Sequence, residues 1–270
     1  MLAVMDWKPI RAVLSAWSWL VFGISVILWL PMVALVRLVT MPFDKGAYAA
    51  GYLFRKVVMP NGWLNPLWRF TTSGDLPDDM RHPYVVVANH ESFVDMVLLS
   101  HLPTEMKYLS KIEILKIPVL GQLMRLSRDI PLVRGDAKSG IAALKIAQER
   151  LDQKTSVLIF PEGSRSKTGE LREFSAGAFK LAIEGGHPIL PLAIYGTRDC
   201  LEKHSWLQSR ANAEVRVLEP IPTEGLTRRD LDQLRTQTRD AIIAGREQLR
   251  REHGDAPPTD EGIGENELAG

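Results

Sequence analysis

Hydrophobic and polar positions fall into two regimes along the chain. Residues 12–36 run without a charge, and from about residue 75 onward short apolar runs alternate with amphipathic ones. As a helix, the first run reaches about 37 Å, longer than a hydrocarbon core of about 30 Å. It holds thirteen Val, Ile, Leu and Phe residues. At roughly −0.4 kcal/mol each they favour insertion by about 5 kcal/mol, an upper bound because few sit at a bilayer centre. The run is read as a membrane anchor. Lys8 and Arg11 precede it and Arg37, Lys45, Arg55 and Lys56 follow, so flanking charge selects no orientation. Gly23 and Pro31 within the run, with a weaker apolar stretch at 47–59, fit a helical hairpin dipping into one leaflet as well as a spanning helix. A cleaved leader is disfavoured, because the run is too long and no small-residue cleavage site follows it.

The second regime reads as an α/β layer domain. Residues 84–88, 130–133, 156–160 and 189–194 have the pattern of buried strands, and 213–217 adds an expected edge strand. Ile141, Leu144, Ala147 and Leu151 recur at helical spacing within 139–153, and 176–184 predicts a further helix. Thr227 with Asp230 resembles a capping box, and Leu231, Leu234, Ile242 and Leu249 follow before Gly254, which predicts a C-terminal helix. The expected organisation is a membrane-anchoring helical segment over 1–75, a central domain over 76–225, the C-terminal helix over 226–253 and a disordered acidic tail over 254–270.

Composition narrows the classes. A 270-residue chain with 46% hydrophobic residues supports one good-sized domain with accessories, and a single cysteine, Cys200, excludes a disulfide scaffold. The net charge of +1 conceals an asymmetry: the tail from 254 onward has five acidic residues and no basic one. Residues 1–253 therefore hold all 33 Lys and Arg against 27 Asp and Glu, a mildly basic body suited to an anionic substrate or lipid surface.

Chemistry concentrates in two clusters. The first is Asn89-His90-Glu91-Ser92-Phe93-Val94-Asp95, after an apolar strand and before an apolar helix-like run. On a continuous helix, positions five apart diverge by about 140°. With His90 in the strand-to-helix loop, Asp95 in the first helical turn and Ser92 near the N-cap, the carboxylate reaches the imidazole. Asp95 then fixes the tautomer while the other ring nitrogen takes a proton from a substrate hydroxyl. The plainer alternative is a structural histidine. The second cluster, Phe160-Pro161-Glu162-Gly163-Ser164-Arg165-Ser166, ends another buried strand, where α/β proteins place ligands. Gly163 allows close backbone approach, Arg165 offers a planar fork for phosphate or carboxylate, and Lys167 and Arg172 add positive charge. Alone, it is also readable as a polar turn.

Other chemistries fail on residue identity. His90-Glu91 begins a zinc-protease pattern, but position 94 is Val. Neither Ser92 nor Ser164 sits in a Gly-x-Ser-x-Gly elbow, the Gly262-Ile263-Gly264 stretch follows no strand, and no Walker sequence occurs. Neither metal nor cofactor is expected, and nucleic acid is not an expected partner.

Together, the two clusters resemble those of the glycerolipid acyltransferases, specifically the 1-acyl-glycerol-3-phosphate acyltransferases, over roughly residues 80–200. Asn89 to Asp95 matches the family's Asn-His-x4-Asp motif, and Phe160 to Ser166 matches Phe-Pro-Glu-Gly-Thr-Arg-Ser with Ser164 in place of Thr. Ile130-Pro131-Leu132-Val133-Arg134 matches a second motif whose Arg is invoked in substrate binding, and Leu190-Pro191-Leu192-Ala193 matches an apolar fourth. Lys111 falls where relatives carry a phosphate-contacting lysine. Departures are modest: Glu91 replaces the usual Gln or Arg and adds negative charge beside the base, Val133 replaces a frequent Asp, and Arg128 lies where Gly is common.

The resemblance implies a mixed sheet flanked by helices, with His90 and Asp95 catalytic and Lys111, Arg134, Glu162, Gly163, Ser164 and Arg165 binding substrate. It also implies transfer of a fatty acyl group from an acyl-CoA or acyl carrier protein thioester to lysophosphatidic acid, giving phosphatidic acid. No enzyme nucleophile is needed, so Cys200 is a bystander. Membrane lipids are implied partners, and the inner or cytoplasmic membrane, with the domain on its cytoplasmic side, is the implied location. The alternatives are another lysolipid as acceptor, a lipid thioesterase, or a non-catalytic lipid-binding module.

Overall fold

The computed structural model describes residues 7–79, 81–165, 170–201 and 205–255. The apolar run forms one helix, α1 (Lys8–Thr40), with Pro31 inside it. Its sidedness inverts that of a soluble amphipathic helix. Ser15, Ser18 and Ser25 are buried with Val21, Val26 and Val33, whereas Leu20, Ile24, Ile27, Leu28, Leu35 and Leu38 are exposed. The second apolar stretch folds back on α1 as α2 (Tyr48–Arg55), a 3-10 turn (Lys56–Val58) and α3 (Met59–Leu64). Asp44 starts the return by accepting the Tyr48 and Ala49 N–H groups at 2.9 and 2.8 Å. Trp17 Nε1 donates to the Leu64 carbonyl and Trp29 Nε1 to that of Leu53, so the pair is antiparallel. Between them, Asn61 Nδ2 donates to the Ser18 carbonyl at 2.7 Å, giving two buried polar side chains the partners they need. The second apolar stretch is thus the returning arm of a helical hairpin.

Among the described residues, seven strands form the sheet: β1 (Trp68–Ser73), β2 (Val85–Ala88), β3 (Met106–Lys111), β4 (Ile130–Leu132), β5 (Ser156–Ile159), β6 (Ile189–Tyr195) and β7 (Ala211–Val217). Their order is β1-β7-β6-β2-β5-β3-β4. Neighbours are parallel except β6 with β7, which makes the sheet mixed. The expected strands all form, with one correction: the segment read as an edge strand is β7, which lies between β1 and β6. β1 covers it, pairing Trp68 with Ala211 through Ser73 with Arg216.

Alternation along β2 shows how the layers are filled. Val86 and Ala88 join a core with Val26 and Val33 of α1, while Val85 and Val87 join one on the opposite face. The hairpin is thus one layer of the sandwich. It shares its face with α4 (Asp95–Leu99) and α5 (Leu120–Leu126). The other face is covered by α6 (Ala137–Asp152), α7 (Gly177–Gly185) and, after the four-residue α8 (Thr197–Cys200), by α9 (Leu231–Glu252). The expected capping box is present, with Thr227 and Asp230 exchanging side-chain and backbone bonds ahead of α9. The expected disordered tail lies outside the described residues beyond Asp255.

Strands β1 and β3 escaped the pattern reading, and β3 shows why. It contains Lys107, fully buried, whose Nζ reaches Glu105 Oε1 at 2.7 Å and donates to the Ala47 carbonyl at 2.9 Å. Glu105 also pairs with Arg55, which in turn holds Asp129. A charge whose burial depends on a distant segment looks, in sequence, like a surface residue.

Candidate active site

β2 delivers the first cluster. Its last residue is followed by Asn89, whose Oδ1 accepts the Ile194 N–H at 2.8 Å and whose Nδ2 donates to the Ile194 carbonyl at 2.9 Å. That two-point tie fixes the loop to β6. The next residue, His90, places Nδ1 2.7 Å from Asp95 Oδ2. Asp95 opens α4 and is fully buried. Its carboxylate also accepts the N–H groups of Glu91 at 2.9 Å and Ser92 at 3.2 Å, and the Thr197 hydroxyl. The strand-to-helix loop therefore brings the pair together as the spacing predicts. Ser92 is not the cap, which is Val94; its hydroxyl donates to the Leu201 carbonyl. The imidazole stacks on Phe160 of the second cluster, centroids 4.3 Å apart and planes 27° apart, leaving Nε2 for a substrate.

His90 lines a cavity of about 290 Å³. Its apolar walls are Phe22 of α1, Phe54, Val57 and Val58 of the returning arm, and Phe93, Met96 and Val97 around α4. Lys111, Arg134 and Arg165 also line it, the first two exposed and the third half-buried. Lys111 ends β3, and its Nζ lies 3.6 Å from Glu113. Sequence reasoning missed Arg55, Tyr108 and Asp129 on the same wall. The Arg55 guanidinium lies 3.9 Å from the Tyr108 ring centroid and binds Asp129.

Phe160 lines the cavity with Arg165, whereas Glu162, Gly163 and Ser164 hold the loop. Glu162, expected to bind substrate, accepts the His90 N–H at 2.8 Å through Oε1 and the Arg172 N–H at 3.1 Å through Oε2. Burial raises its pKa, and those N–H groups oppose the rise. Gly163 adopts φ +69°, a conformation that favours glycine. The Arg172 guanidinium donates to the Ser164 hydroxyl, so neither is spent on the cavity wall. Lys167 and Ser166 lie outside the described residues.

Glu91 corrects a further expectation. Its carboxylate is buried and points away from the cavity to Arg246 of α9, whose Nη2 donates to it at 2.5 Å. Burial pushes its pKa up to about 7 against the opposing pull of Arg246. It therefore adds no free negative charge at the cavity wall. Thr197, also unforeseen, follows Gly196 at the end of β6. Cys200 is buried, with its thiol pKa raised by that burial.

The site thus sets a histidine–carboxylate pair at the end of a central parallel strand of an α/β protein, beside an apolar cavity with cationic walls. The family described as Acyltransferase matches residues 69–195, from β1 to the end of β6. The chain is 31% identical over 243 residues to a 1-acyl-sn-glycerol-3-phosphate acyltransferase of Chlamydomonas reinhardtii, covering 87% of this chain and 69% of that one. It belongs to the acyltransferase family, and the curated relatives it resembles are described as 1-acyl-sn-glycerol-3-phosphate acyltransferases. A chloroplastic relative of that description from Brassica napus is 37% identical over 140 residues, 52% of this chain; the match spans 41% of the relative, less than half its length. The crystal structure of the 1-acyl-sn-glycerophosphate acyltransferase PlsC from Thermotoga maritima superposes with a TM-score of 0.76 at 23% identity, covering 90% of this chain and 97% of that one, a likeness of fold.

Proposed function

We propose that the protein transfers a fatty acyl group from a thioester, acyl-CoA or acyl carrier protein, to the free hydroxyl of a 1-acyl-glycerol-3-phosphate, forming phosphatidic acid. The observation that carries this reading is the His90–Asp95 pair on the wall of an apolar cavity that also presents Lys111, Arg134 and Arg165. His90 Nε2 takes the hydroxyl proton as the oxygen attacks the thioester carbonyl. The C–S bond then breaks, and the departing thiolate recovers the proton from the imidazolium. Asp95 holds the ring so that Nε2 faces the substrate and stabilises the imidazolium. The three cations hold the acceptor phosphate, and their contribution is orientation. Glu162 serves the reaction by fixing the His90 backbone, and Gly163 and Ser164 by shaping the loop that carries Arg165.

The exposed apolar stripe of α1 supports a monotopic seat in the membrane, with the serine-bearing face against the sheet and Leu20, Ile24, Ile27 and Leu28 in the acyl region. Both substrates carry lipid chains, so a hairpin that is both membrane contact and cavity wall shortens their path to His90. We place the domain on the cytoplasmic side, where either thioester is made.

The test is acyl transfer by the detergent-solubilised protein, supplied with each thioester and with lysophosphatidic acid, phosphate-free lysolipids or other lysophospholipids. Phosphatidic acid formed from the first acceptor supports the reading. Activity confined to another lysolipid moves the substrate, thioester hydrolysis alone makes the protein a thioesterase, and no turnover with either thioester leaves a lipid-binding module.

A further inference from the structure

We infer that Glu91 and Arg246 are positioning residues for the His90–Asp95 pair, so that the C-terminal helix α9 sets the geometry of the loop carrying the base. This rests on the reading of the site proposed above. Arg246 lies outside residues 69–195, which the family pattern matches, yet it reaches Glu91 within that stretch.

The route is continuous. Gly245 lies where an added Cβ would stand 2.9 Å from the Ala193 Cβ of β6, so a glycine lets α9 approach the sheet closely at that turn. The next residue then reaches the loop, and its Nη2 donates to Glu91 Oε1 at 2.5 Å across 155 positions of sequence. Both side chains are nearly buried, 10% and 6% exposed. The Glu91 backbone N–H donates to Asp95 Oδ2 at 2.9 Å, the oxygen that stands 2.7 Å from His90 Nδ1. Holding the Glu91 side chain thus aims its N–H, which aims the carboxylate, which aims the ring. The Arg246 charge also acts on Glu162, whose Oε1 accepts the His90 N–H.

Neither Glu91 nor Arg246 lines the cavity, so neither touches substrate. A buried ion pair adds little net stability over apolar residues of equal volume, because desolvation offsets its attraction. What it supplies here is one fixed arrangement of the loop.

The experiment compares the full chain in detergent with Glu91→Ala, Arg246→Ala, the double alanine variant, Glu91→Gln and Arg246→Lys. It reads kcat and KM with lysophosphatidic acid, the melting temperature, and the ¹⁵N signals of the His90 ring. Each single alanine variant is expected to lower kcat by about ten- to a hundred-fold, the scale of a small misplacement of a reacting group, with acceptor KM changed by less than about threefold. The double variant is expected to be no worse than the singles, because the two act as one unit. Glu91→Gln keeps an acceptor for Arg246 and should retain most of kcat, whereas Arg246→Lys loses the planar fork and should not. Losses that multiply in the double variant, or KM rising as far as kcat falls, overturn the proposal. Should the alanine variants not fold, equal activity in Glu91→Gln and Arg246→Lys also overturns it. Should the wild type acylate no lysolipid, the functional reading fails on its own. The ring signals then decide: a shift in Arg246→Lys but not in Glu91→Gln supports positioning, and unchanged signals in both refute it.

Discussion

Asp95 Oδ2 receives the Glu91 N–H and faces His90 Nδ1, while the imidazole stacks on Phe160 from the second cluster. The ring is thus held at its edge and on its face before any substrate arrives, and only Nε2 remains free to work. His90→Ala is expected to lower kcat by about 10² to 10⁴, the usual contribution of a positioned base. Flotation with vesicles should be unchanged, since the hairpin is untouched. Turnover within about tenfold of wild type removes His90 from the role.

Arg165 stands on the cavity wall, whereas its neighbours Glu162 and Ser164 are engaged within the loop. Arg165→Ala removes charge-assisted hydrogen bonds from a phosphate but nothing from a neutral head group. Its KM for lysophosphatidic acid should rise by about tenfold or more while KM for a phosphate-free lysolipid stays nearly constant. Equal losses with both acceptors refute the phosphate contact.

Glu91 gives a pH dependence with a definite sign. Burial lifts its pKa from 4.5 to about 7 in the folded protein; Arg246 opposes the shift, and Asp95 and Asp199 add to it. Between those values the folded state keeps a proton that the unfolded state has released, so this contribution to stability is present at low pH and is lost as pH rises through about 7. Glu91→Gln removes the titration. The melting temperature of the variant should therefore gain on that of wild type between about pH 5 and about pH 7.5, because contributions common to both cancel. Parallel profiles across that range refute the assignment.

Ile24 and Leu28 are exposed on α1, away from the buried Val26 and Val33. Replacing both with Glu should leave folding intact and weaken vesicle binding, since each charged residue opposes insertion by about 2 kcal/mol or more. Retained flotation in high salt rules out this stripe as the membrane contact. Deleting residues 1–40 is a poorer test, because it also strips Phe22 from the cavity wall and Val33 from the core.

Local chemistry was legible in the chain. His90 and Asp95 are five residues apart, and a strand-to-helix loop brings such a pair together with no help from distant sequence. The strands β2, β5 and β6 were readable because their apolar runs are buried between paired neighbours on either side, the edge strand β4 because its short apolar run buries Ile130, and the Thr227 capping box because its bonds span three residues. β3 was not, since Lys107 carries a charge that is buried only once α2 docks and brings the Ala47 carbonyl to it, beside Glu105 two residues away.

What the sequence by itself determined, then, is whatever depends on periodicity or on bonds within one turn or loop: the long apolar helix, the alternation of buried strands with helices, and the His90 imidazole beside the Asp95 carboxylate. Tertiary structure alone decided that α1 forms a layer over the sheet, that β7 is covered by β1, that Glu162 supports the His90 backbone, and that Glu91 faces Arg246 instead of the substrate. Each of these is a contact across the fold. A side chain's partner there is selected by which surfaces meet when apolar area is buried, and linear spacing does not encode that meeting.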